Sequence, residues 1–283
     1  MNPFHNSIFK DKNFERQYEE TGFVVLHNVI PPHTIDLLKK NWQTLRDYNG
    51  LGFYSTIWHN NKTHRKEVFE LIRSSLQRVL NNLFNNYRVI FGNYVMKMPG
   101  NNGALGLHQD WRFTDETKHR AINFWFPLTE ITANNGPLCV VRGSHKIPNP
   151  QRGKNIPQPF AGISEFIINR FGEALIVQPG DVVAYDVSLL HYSGLNTTTQ
   201  PRLAVTAILA NANAGLVHCF RNSQNDEDTE VFEINVDENY FTDYSLYETP
   251  SGFKIANKEK LNVVNYSAEE FKEHYYSNLQ PVL

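Results

Sequence analysis

The chain has little cysteine, no long apolar run and almost no excess charge. Its 283 residues include only two cysteines, Cys139 and Cys219, which lie far apart and form no CxxC pair. They predict buried, reduced thiols and not a disulfide framework. No apolar stretch approaches the roughly 20 residues that span a bilayer, and residues 1–6 lack the basic and then apolar order of a secretory signal. We therefore expect a cytoplasmic protein.

A strong charge of one sign is also missing. The 27 Lys and Arg against 29 Asp and Glu give a formal net charge of −2, whereas a protein that neutralises phosphates needs a concentrated positive surface. The densest basic stretch, residues 62–66, predicts a solvated helix start, with a coenzyme A phosphate as the alternative partner. We expect a small-molecule substrate and neither a nucleic-acid nor a membrane partner. The sequence does not set the oligomeric state.

The composition nevertheless provides for a sizeable core. Hydrophobic residues make up 41% of the chain and aromatic residues 13%, as in globular domains. Apolar residues recur at helical spacing in the first third, whereas from residue 87 short runs of β-formers alternate with turn clusters. We expect one domain with a helical part over about 1–86, a β-rich core over about 87–215 and a C-terminal extension over about 216–283.

Individual elements follow from the same patterns. In the helical part they predict helices over 11–20, 31–45 and 66–84 and a strand over 23–26. In the core they predict strands over 87–98, 121–128, 138–141, 174–177, 182–185 and 203–209 and an inserted helix over 163–171. After residue 214 the pattern weakens, with a loop predicted over 225–230 and a capped helix from the Ser-x-x-Glu at 267–270.

The segment most informative about chemistry is Leu107-His108-Gln109-Asp110. On a strand, residues two apart point to the same face, so His108 and Asp110 can offer an imidazole nitrogen and a carboxylate oxygen to one point. A second His on an adjacent strand would complete the facial triad that leaves open positions on Fe(II). His191, which follows the predicted strand 182–185, is the best candidate. Alone, an HxD tripeptide is more often a surface loop or a salt bridge.

Arg202 makes the pattern more specific. It follows His191 by eleven residues and opens the apolar run 203–205. Its guanidinium can bind a carboxylate through two parallel N–H···O bonds, which is the partner needed by a 2-oxo acid that chelates iron at its other end. Ser193 can donate a hydroxyl to the same carboxylate.

These residues together resemble the phytanoyl-CoA dioxygenase family, within the wider 2-oxoglutarate oxygenases. The likeness runs from about Tyr18 to Ala210. Within it, residues 20–26 resemble the opening strand, 107–110 the first metal motif, 128–146 the central stretch, and 191–194 with Arg202 the distal motif.

The resemblance implies a mainly β fold with flanking helices, a double-stranded β-helix (a jelly roll, cupin-like) with iron at one open end. It assigns the metal to His108, Asp110 and His191. It assigns the distal carboxylate of 2-oxoglutarate to Arg202, with Ser193 assisting.

Further residues are expected around that co-substrate. Trp125 matches a family position near it, and Asn123, two residues earlier on the same strand face, is expected to face the site. Lys97 is a candidate upstream contact. Arg142 departs from the family by standing where a proline usually precedes Gly-Ser-His, while His145 is expected in a structural turn and Asp186 to fix local backbone. Candidate pocket residues are Trp58, His59, Trp111 and Arg112.

The implied activity is that of an Fe(II)- and 2-oxoglutarate-dependent dioxygenase. With O2 as the second co-substrate, it would hydroxylate or otherwise oxidise an unactivated C–H of a metabolite or natural-product intermediate, releasing succinate and CO2. Asp110 favours hydroxylation over halogenation, because halogenases of this group carry a small residue there. A non-catalytic or other-metal jelly-roll binding protein is the alternative, since the same ligands hold Zn(II), Mn(II) or Ni(II).

Overall fold

The computed structural model describes residues 7–45, 52–225, 229–244, 248–262 and 264–279. Its α-helices are α1 (Lys12–Thr21), α2 (Pro32–Thr44), α3 (Lys62–Leu83), α4 (Ser164–Phe171), α5 (Tyr240–Asp243) and α6 (Ala268–Leu279). Its strands are β1 (Phe23–Leu26), β2 (Phe53–Ser55), β3 (Tyr87–Lys97), β4 (Leu105–His108), β5 (Ile122–Pro127), β6 (Leu138–Val141), β7 (Gly172–Leu175), β8 (Val182–Asp186), β9 (His191–Ser193), β10 (Arg202–Asn211), β11 (Leu216–Phe220), β12 (Glu230–Val236) and β13 (Ile255–Lys260).

Two antiparallel sheets form the core. The larger has the order β1-β8-β5-β10-β3-β2 and the smaller β4-β9-β6-β7, while β11-β12-β13 form a third sheet. Side chains alternate along each strand, so in β5 Phe124 and Phe126 pack into the apolar cluster shared with α2 and α3. Asn123 and Trp125 point the other way, into a cavity between the two sheets. The helices thus cover one face of the larger sheet and leave its other face for the site.

The join between α1 and β1 fixes the edge of the larger sheet. Asp11 caps α1 by accepting hydrogen bonds from the backbone N–H of Asn13 and Phe14, and the helix ends at Gly22 with φ +82°. A side chain at Gly22 would also overlap the ring of His145. The carbonyl of Gly22 accepts the N–H of Asp186, at 2.9 Å. This turn therefore ties the N-terminal helix to the end of β8, directly before the distal motif.

Most of the predicted elements are confirmed within a few residues. β1 and β6 have the predicted bounds, and the Ser267 capping box forms, with the Ser267 N–H donating to Glu270 Oε2 at 2.8 Å and the Glu270 N–H to Ser267 Oγ at 3.2 Å. The strand predicted over 174–177 instead occupies Gly172–Leu175, because α4 ends at Phe171 and only a glycine fits against the Tyr192 hydroxyl there.

The sequence missed the third sheet. Every residue of β13 is exposed, so that strand shows no alternation of apolar and polar residues, whereas β11 is buried throughout and shows none either. Residues 226–228 of the predicted 225–230 loop lie outside the described residues. In the described ranges, no helix is long and apolar enough to cross a membrane.

Candidate functional site

Three candidate metal ligands converge at one end of the cavity. β4 and β9 pair so that His108 lies opposite His191, with ring centroids 4.2 Å apart. Asp110 Oδ1 lies 3.9 Å from His108 Nε2 and 3.7 Å from His191 Nε2. The ligand atoms all lie within 4.8 Å of one another. A single cation can contact all three, as in a facial triad.

The backbone that carries these ligands differs from the prediction. His108 is the last residue of β4, and Asp110 lies beyond the strand. Its N–H donates to the carbonyl of Val187 at 2.9 Å, so a loop contact, and not the strand pleat, aims the carboxylate. His191 follows the strand 182–185, as the sequence predicts, and opens a short strand of its own, β9, which pairs with β4.

Each imidazole is held with one nitrogen free. His108 Nδ1 lies 2.8 Å from the carbonyl of Gly106, and His191 Nδ1 lies 2.9 Å from that of Leu189. Because carbonyl oxygens only accept, both Nδ1 atoms carry the hydrogen and both Nε2 atoms are left to bind a metal. Burial, and then the neighbouring His191, lower the pKa of His108 to about 4. The His108 ring is therefore neutral at neutral pH, ready for a cation.

The carboxylate of Asp110 is held on its other oxygen. Asn123 donates to Asp110 Oδ2 at 2.8 Å, and its own Oδ1 accepts from the Thr206 hydroxyl at 2.5 Å. This leaves Asp110 Oδ1 facing the imidazoles. The structure thus places the Asn123 amide against Asp110, a candidate metal ligand, whereas the sequence predicts that it contacts the co-substrate.

The loop 187–190 supports two of the ligands through backbone carbonyls. It is anchored by Asp186, a buried carboxylate that accepts from the Ser188 N–H at 2.8 Å and the Tyr18 hydroxyl at 3.0 Å. Burial opposes ionisation of Asp186, but Arg120, at 3.6 Å, and the other surrounding donors hold its pKa below the ordinary value. Asp186 therefore fixes local backbone, as the sequence predicts.

Arg202 lies at the other end of the cavity as a buried cation. It begins β10, is 2% exposed, and its Cζ lies 5.5 Å from the ring centroid of Trp125. Burial lowers its pKa to about 10, so it stays charged at neutral pH. Among the described residues, its Nε has no hydrogen-bond partner. Because an unpaired buried guanidinium is costly, this end fits a carboxylate supplied by a ligand.

Ser193 and Lys97 lie beside that end. Lys97 is opposite Arg202 in the β3–β10 pairing, and its ammonium donates to Ser193 Oγ at 2.7 Å and to the carbonyls of Ser193 and Gly194 at 3.0 and 2.5 Å. The Ser193 oxygen is thus an acceptor for Lys97, and its own hydrogen is left to donate into the cavity. Burial, and then Arg202, lower the pKa of Lys97 to about 7.

The cavity between these ends has a volume of about 370 Å³, and nine of the 25 residues that line it are aromatic. Trp58 and Trp111 line it as expected. Two other candidates are engaged elsewhere: Arg112 pairs with Glu233, and His59 accepts the N–H of Asn61. The aromatic residues of the lining are Phe53, Trp58, Phe91, Trp111, Phe113, Trp125, Tyr185, Tyr192 and Phe241.

A comparison with known proteins decides the family. The family model for phytanoyl-CoA dioxygenase matches residues 18–204. The chain belongs to this family. It is 29% identical to the peroxisomal phytanoyl-CoA dioxygenase of Bos taurus over 165 residues, 56% of this chain and 49% of that one. It is 25% identical to the Homo sapiens protein of the same name, over 77% of this chain and 73% of that one. It thus spans about half the length of the bovine relative.

Solved structures confirm the jelly-roll fold. The epimerase SnoN, solved with Fe3+, α-ketoglutarate and nogalamycin RO, has a TM-score of 0.53 at 18% identity, covering 72% of this chain and 85% of that one. The α-ketoglutarate-dependent carbocyclase SnoK has the same TM-score at 19% identity, covering 73% and 86%. At such identity the likeness is one of fold.

The structure places His145 as the sequence predicts, and it shows what Arg142 contacts in place of the family's usual proline. His145 lies in a short 3-10 helix, Ser144–Lys146, and is outside the metal-binding group found in the described residues. Arg142, in place of the family's usual proline, pairs with Glu173 at 2.8 Å. The Gly-Ser-His turn is thus kept and its preceding residue is tied to β7.

Proposed function

We propose that the chain is an Fe(II)- and 2-oxoglutarate-dependent oxygenase that hydroxylates, or otherwise oxidises, a C–H bond of a small neutral molecule. The observation that carries this proposal is one cavity with three converging candidate metal ligands at one end and, at the other, a buried arginine whose Nε has no hydrogen-bond partner among the described residues. A chelating 2-oxo acid with a distal carboxylate has the chemistry to bind both ends at once.

Each end of the site has a distinct role in the proposal. His108, Asp110 and His191 would hold the iron, while Arg202 and Ser193 would bind the distal carboxylate of 2-oxoglutarate. Iron with bound 2-oxoglutarate supplies the oxidation: O2, 2-oxoglutarate and R–H give R–OH, succinate and CO2. The chain's contribution is to orient the reactants and to exclude water with its aromatic walls.

The walls favour a neutral substrate. Among the described residues that line the cavity, Arg202 is the sole Lys or Arg and Asp110 the sole carboxylate, and the proposal uses both for cofactors. The basic run 62–66 offers little to a coenzyme A phosphate, because Lys62 and Lys66 pair with Asp243 at 3.0 and 2.7 Å. SnoN was solved with nogalamycin RO, which supports a small organic molecule as the substrate class.

The test is an anaerobic titration of the purified chain with Fe(II) and then 2-oxoglutarate, followed by visible spectroscopy. We expect a broad charge-transfer band that needs both additions and is lost in Arg202→Ala and in His191→Ala. Arg142→Ala is the matched control, because this arginine pairs with Glu173 away from the cavity, and it should keep the band. Metal binding without the band would instead favour the other-metal binding protein.

A further inference from the structure

We propose that Asn93 is a specificity-determining residue whose side-chain oxygen accepts a hydrogen bond from a hydroxyl or N–H group of the substrate. The inference rests on the proposed function and narrows its substrate class. The substrate would be a neutral, ring-bearing molecule that carries a hydrogen-bond donor about one or two rings away from the carbon to be oxidised.

Asn93 carries an unused acceptor in the cavity wall. It lies on β3, is 2% exposed and lines the cavity. Its Nδ2 donates to Ser55 Oγ at 2.6 Å and to the carbonyl of Tyr94 at 3.3 Å. In the part of the chain that the structure describes, its Oδ1 has no hydrogen-bond partner. Nearly all buried side-chain oxygens have a hydrogen-bond partner, so this oxygen is left to accept a hydrogen bond from a bound molecule.

The orientation of the amide follows from its neighbours. The Tyr94 carbonyl can only accept a hydrogen bond, so the amide atom that faces it must be the nitrogen. A flipped amide would bring two acceptors together and lose that bond. The open atom of Asn93 is therefore the oxygen, and it selects for donors.

Neither co-substrate can supply that donor. At neutral pH the two carboxylates and the keto group of 2-oxoglutarate only accept hydrogen bonds, and O2 donates none. The other molecule that the proposal places in the cavity is the substrate, and a hydroxyl or an N–H on it would supply the donor in place of water. A substrate without one would leave the Asn93 oxygen buried and unpaired, which weakens binding.

Asn93 lies at the end of a polar row that leads to the metal ligands. It is opposite Thr206 in the β3–β10 pairing, and the Thr206 hydroxyl donates to Asn123, which donates to Asp110. The Thr206 hydroxyl is thus used within the row, and Asn93 Oδ1 is the acceptor of the row that has no partner among the described residues. Two inter-strand spacings, roughly 10 Å in all, separate β3 from β5. The donor and the oxidised carbon would lie about one or two rings apart.

The walls around this row indicate the body of the substrate. Phe91, Phe113 and Phe241 come from separate parts of the chain and pack together, with Phe241 ring centroids 6.2 Å from Phe91 and 5.4 Å from Phe113. Phe53 and Trp58 form a second aromatic pair at 5.5 Å. Flat aromatic surfaces with few polar groups fit alicyclic or aromatic rings.

The experiment measures the preference for a donor with matched probes. 2-Naphthol and 2-methoxynaphthalene, and likewise 1-tetralol and its methyl ether, differ in the donor and little else. Their affinities are measured on the anaerobic Fe(II)·2-oxoglutarate complex by the shift of the charge-transfer band, and on the metal-free chain by calorimetry. We expect each donor probe to bind the wild type roughly tenfold more tightly than its ether, which is the size of one well-formed hydrogen bond.

Asn93→Leu, which removes the acceptor at similar volume, should reduce this ratio to about one and leave the charge-transfer band unchanged. Asn235→Leu, at an exposed position of β12, is the matched control and should keep the ratio. If Asn93→Leu does not melt cooperatively, Asn93→Ser takes its place, since a serine is too short to reach the same donor.

Different results overturn different proposals. A wild-type ratio near one, a ratio that survives Asn93→Leu, or binding of no probe would each overturn the assignment of Asn93. A missing charge-transfer band in the wild type would overturn the oxygenase proposal, and the calorimetric ratio on the metal-free chain would still decide the role of Asn93.

Discussion

The two ends of the cavity differ in how completely the protein satisfies its own polar atoms. At the metal end, His108 Nδ1 and His191 Nδ1 each bind a carbonyl, and Asp110 Oδ2 accepts from Asn123. At the other end, Arg202 is a buried cation with an unpartnered Nε among the described residues. The first end is fixed in advance by hydrogen bonds, whereas the second is completed only by a ligand.

This difference separates two contributions to function. Partners behind a metal ligand fix its direction and tautomer, which raises affinity without a conformational change. An unpaired guanidinium instead destabilises the ligand-free protein. An anion that pairs with it removes this destabilisation, so the anion binds more tightly. Mutations at the two ends should therefore have opposite effects on the ligand-free fold.

The largest expected effect is at the metal end. Asp110→Ala removes a ligand and leaves the Asn123 amide unpaired, so Fe(II) affinity should fall by more than about 100-fold, the upper range for loss of mere supporting contacts. Equilibrium dialysis with metal analysis measures it. Asp115→Ala is the control, since that carboxylate pairs with Lys118 at the surface. Unchanged iron binding in Asp110→Ala would remove it from the ligand set.

Arg202→Met should separate binding from stability. Losing a charge-assisted, two-point contact should weaken 2-oxoglutarate binding by about 100-fold, with Fe(II) affinity retained. Removal of a buried unpaired charge should also stabilise the ligand-free chain by about 1–3 kcal/mol, raising Tm by about 2–4 °C for each kcal/mol. Arg142→Met is the control for both titration and melt. A lower Tm for Arg202→Met would show that the guanidinium is structurally paired.

A smaller effect is expected behind the metal. Asn123→Ala leaves all three ligands but frees Asp110 Oδ2 to rotate, so Fe(II) affinity should fall about tenfold. Equilibrium dialysis measures this change. Thr206→Val removes only the hydroxyl that donates to Asn123, so it should lower Fe(II) affinity by less. If Asn123→Ala weakens 2-oxoglutarate and not iron, the amide contacts the co-substrate, as the sequence alone suggested.

The comparison also explains what the sequence could predict. The sequence predicts roles for His108, Asp110, His191 and Arg202, because these residues belong to short motifs with fixed spacing. Asn123 was found because it shares a strand face with Trp125. Asn93 and Phe241 were missed, because their place in the cavity depends on the β3–β10 pairing and on α5. That helix is held by Arg65, which donates to the carbonyls of Thr242 and Asp243.

Element prediction failed for related reasons. β9 has three residues, too few to show alternation, and its position depends on pairing with both β4 and β6. β13 has no buried face, so its only signal is the ladder with β12. Hydrophobic periodicity in a sequence arises from a buried face. A strand that is held only by pairing with its neighbours has no such face, so periodicity does not predict it.

The effects expected of Lys97 depend on pH. Its pKa is lowered to about 7 by burial and then by Arg202, whereas a lysine in the unfolded chain keeps a pKa near 10.4. Between these values the unfolded chain binds more protons, so the contribution of Lys97 to stability rises as pH rises from about 7 to about 10 and is constant below 7. In urea melts of the ligand-free chain, Lys97→Met should lack this rise.

The same titration should tune the co-substrate end. Below pH 7 the protonated Lys97 adds to the positive potential of Arg202, so the 2-oxoglutarate dianion should bind most tightly there. As pH rises above 7 the charge is lost and affinity should fall roughly three- to tenfold, the size of one partly screened charge at this range. Titrations of the charge-transfer band from pH 6 to 8.5 measure it, with Lys97→Met as the flat reference. Equal slopes in both proteins would mean that Lys97 keeps its proton, and that its three oxygen partners outweigh burial. That outcome would make this end as internally satisfied as the metal end, apart from Arg202 itself.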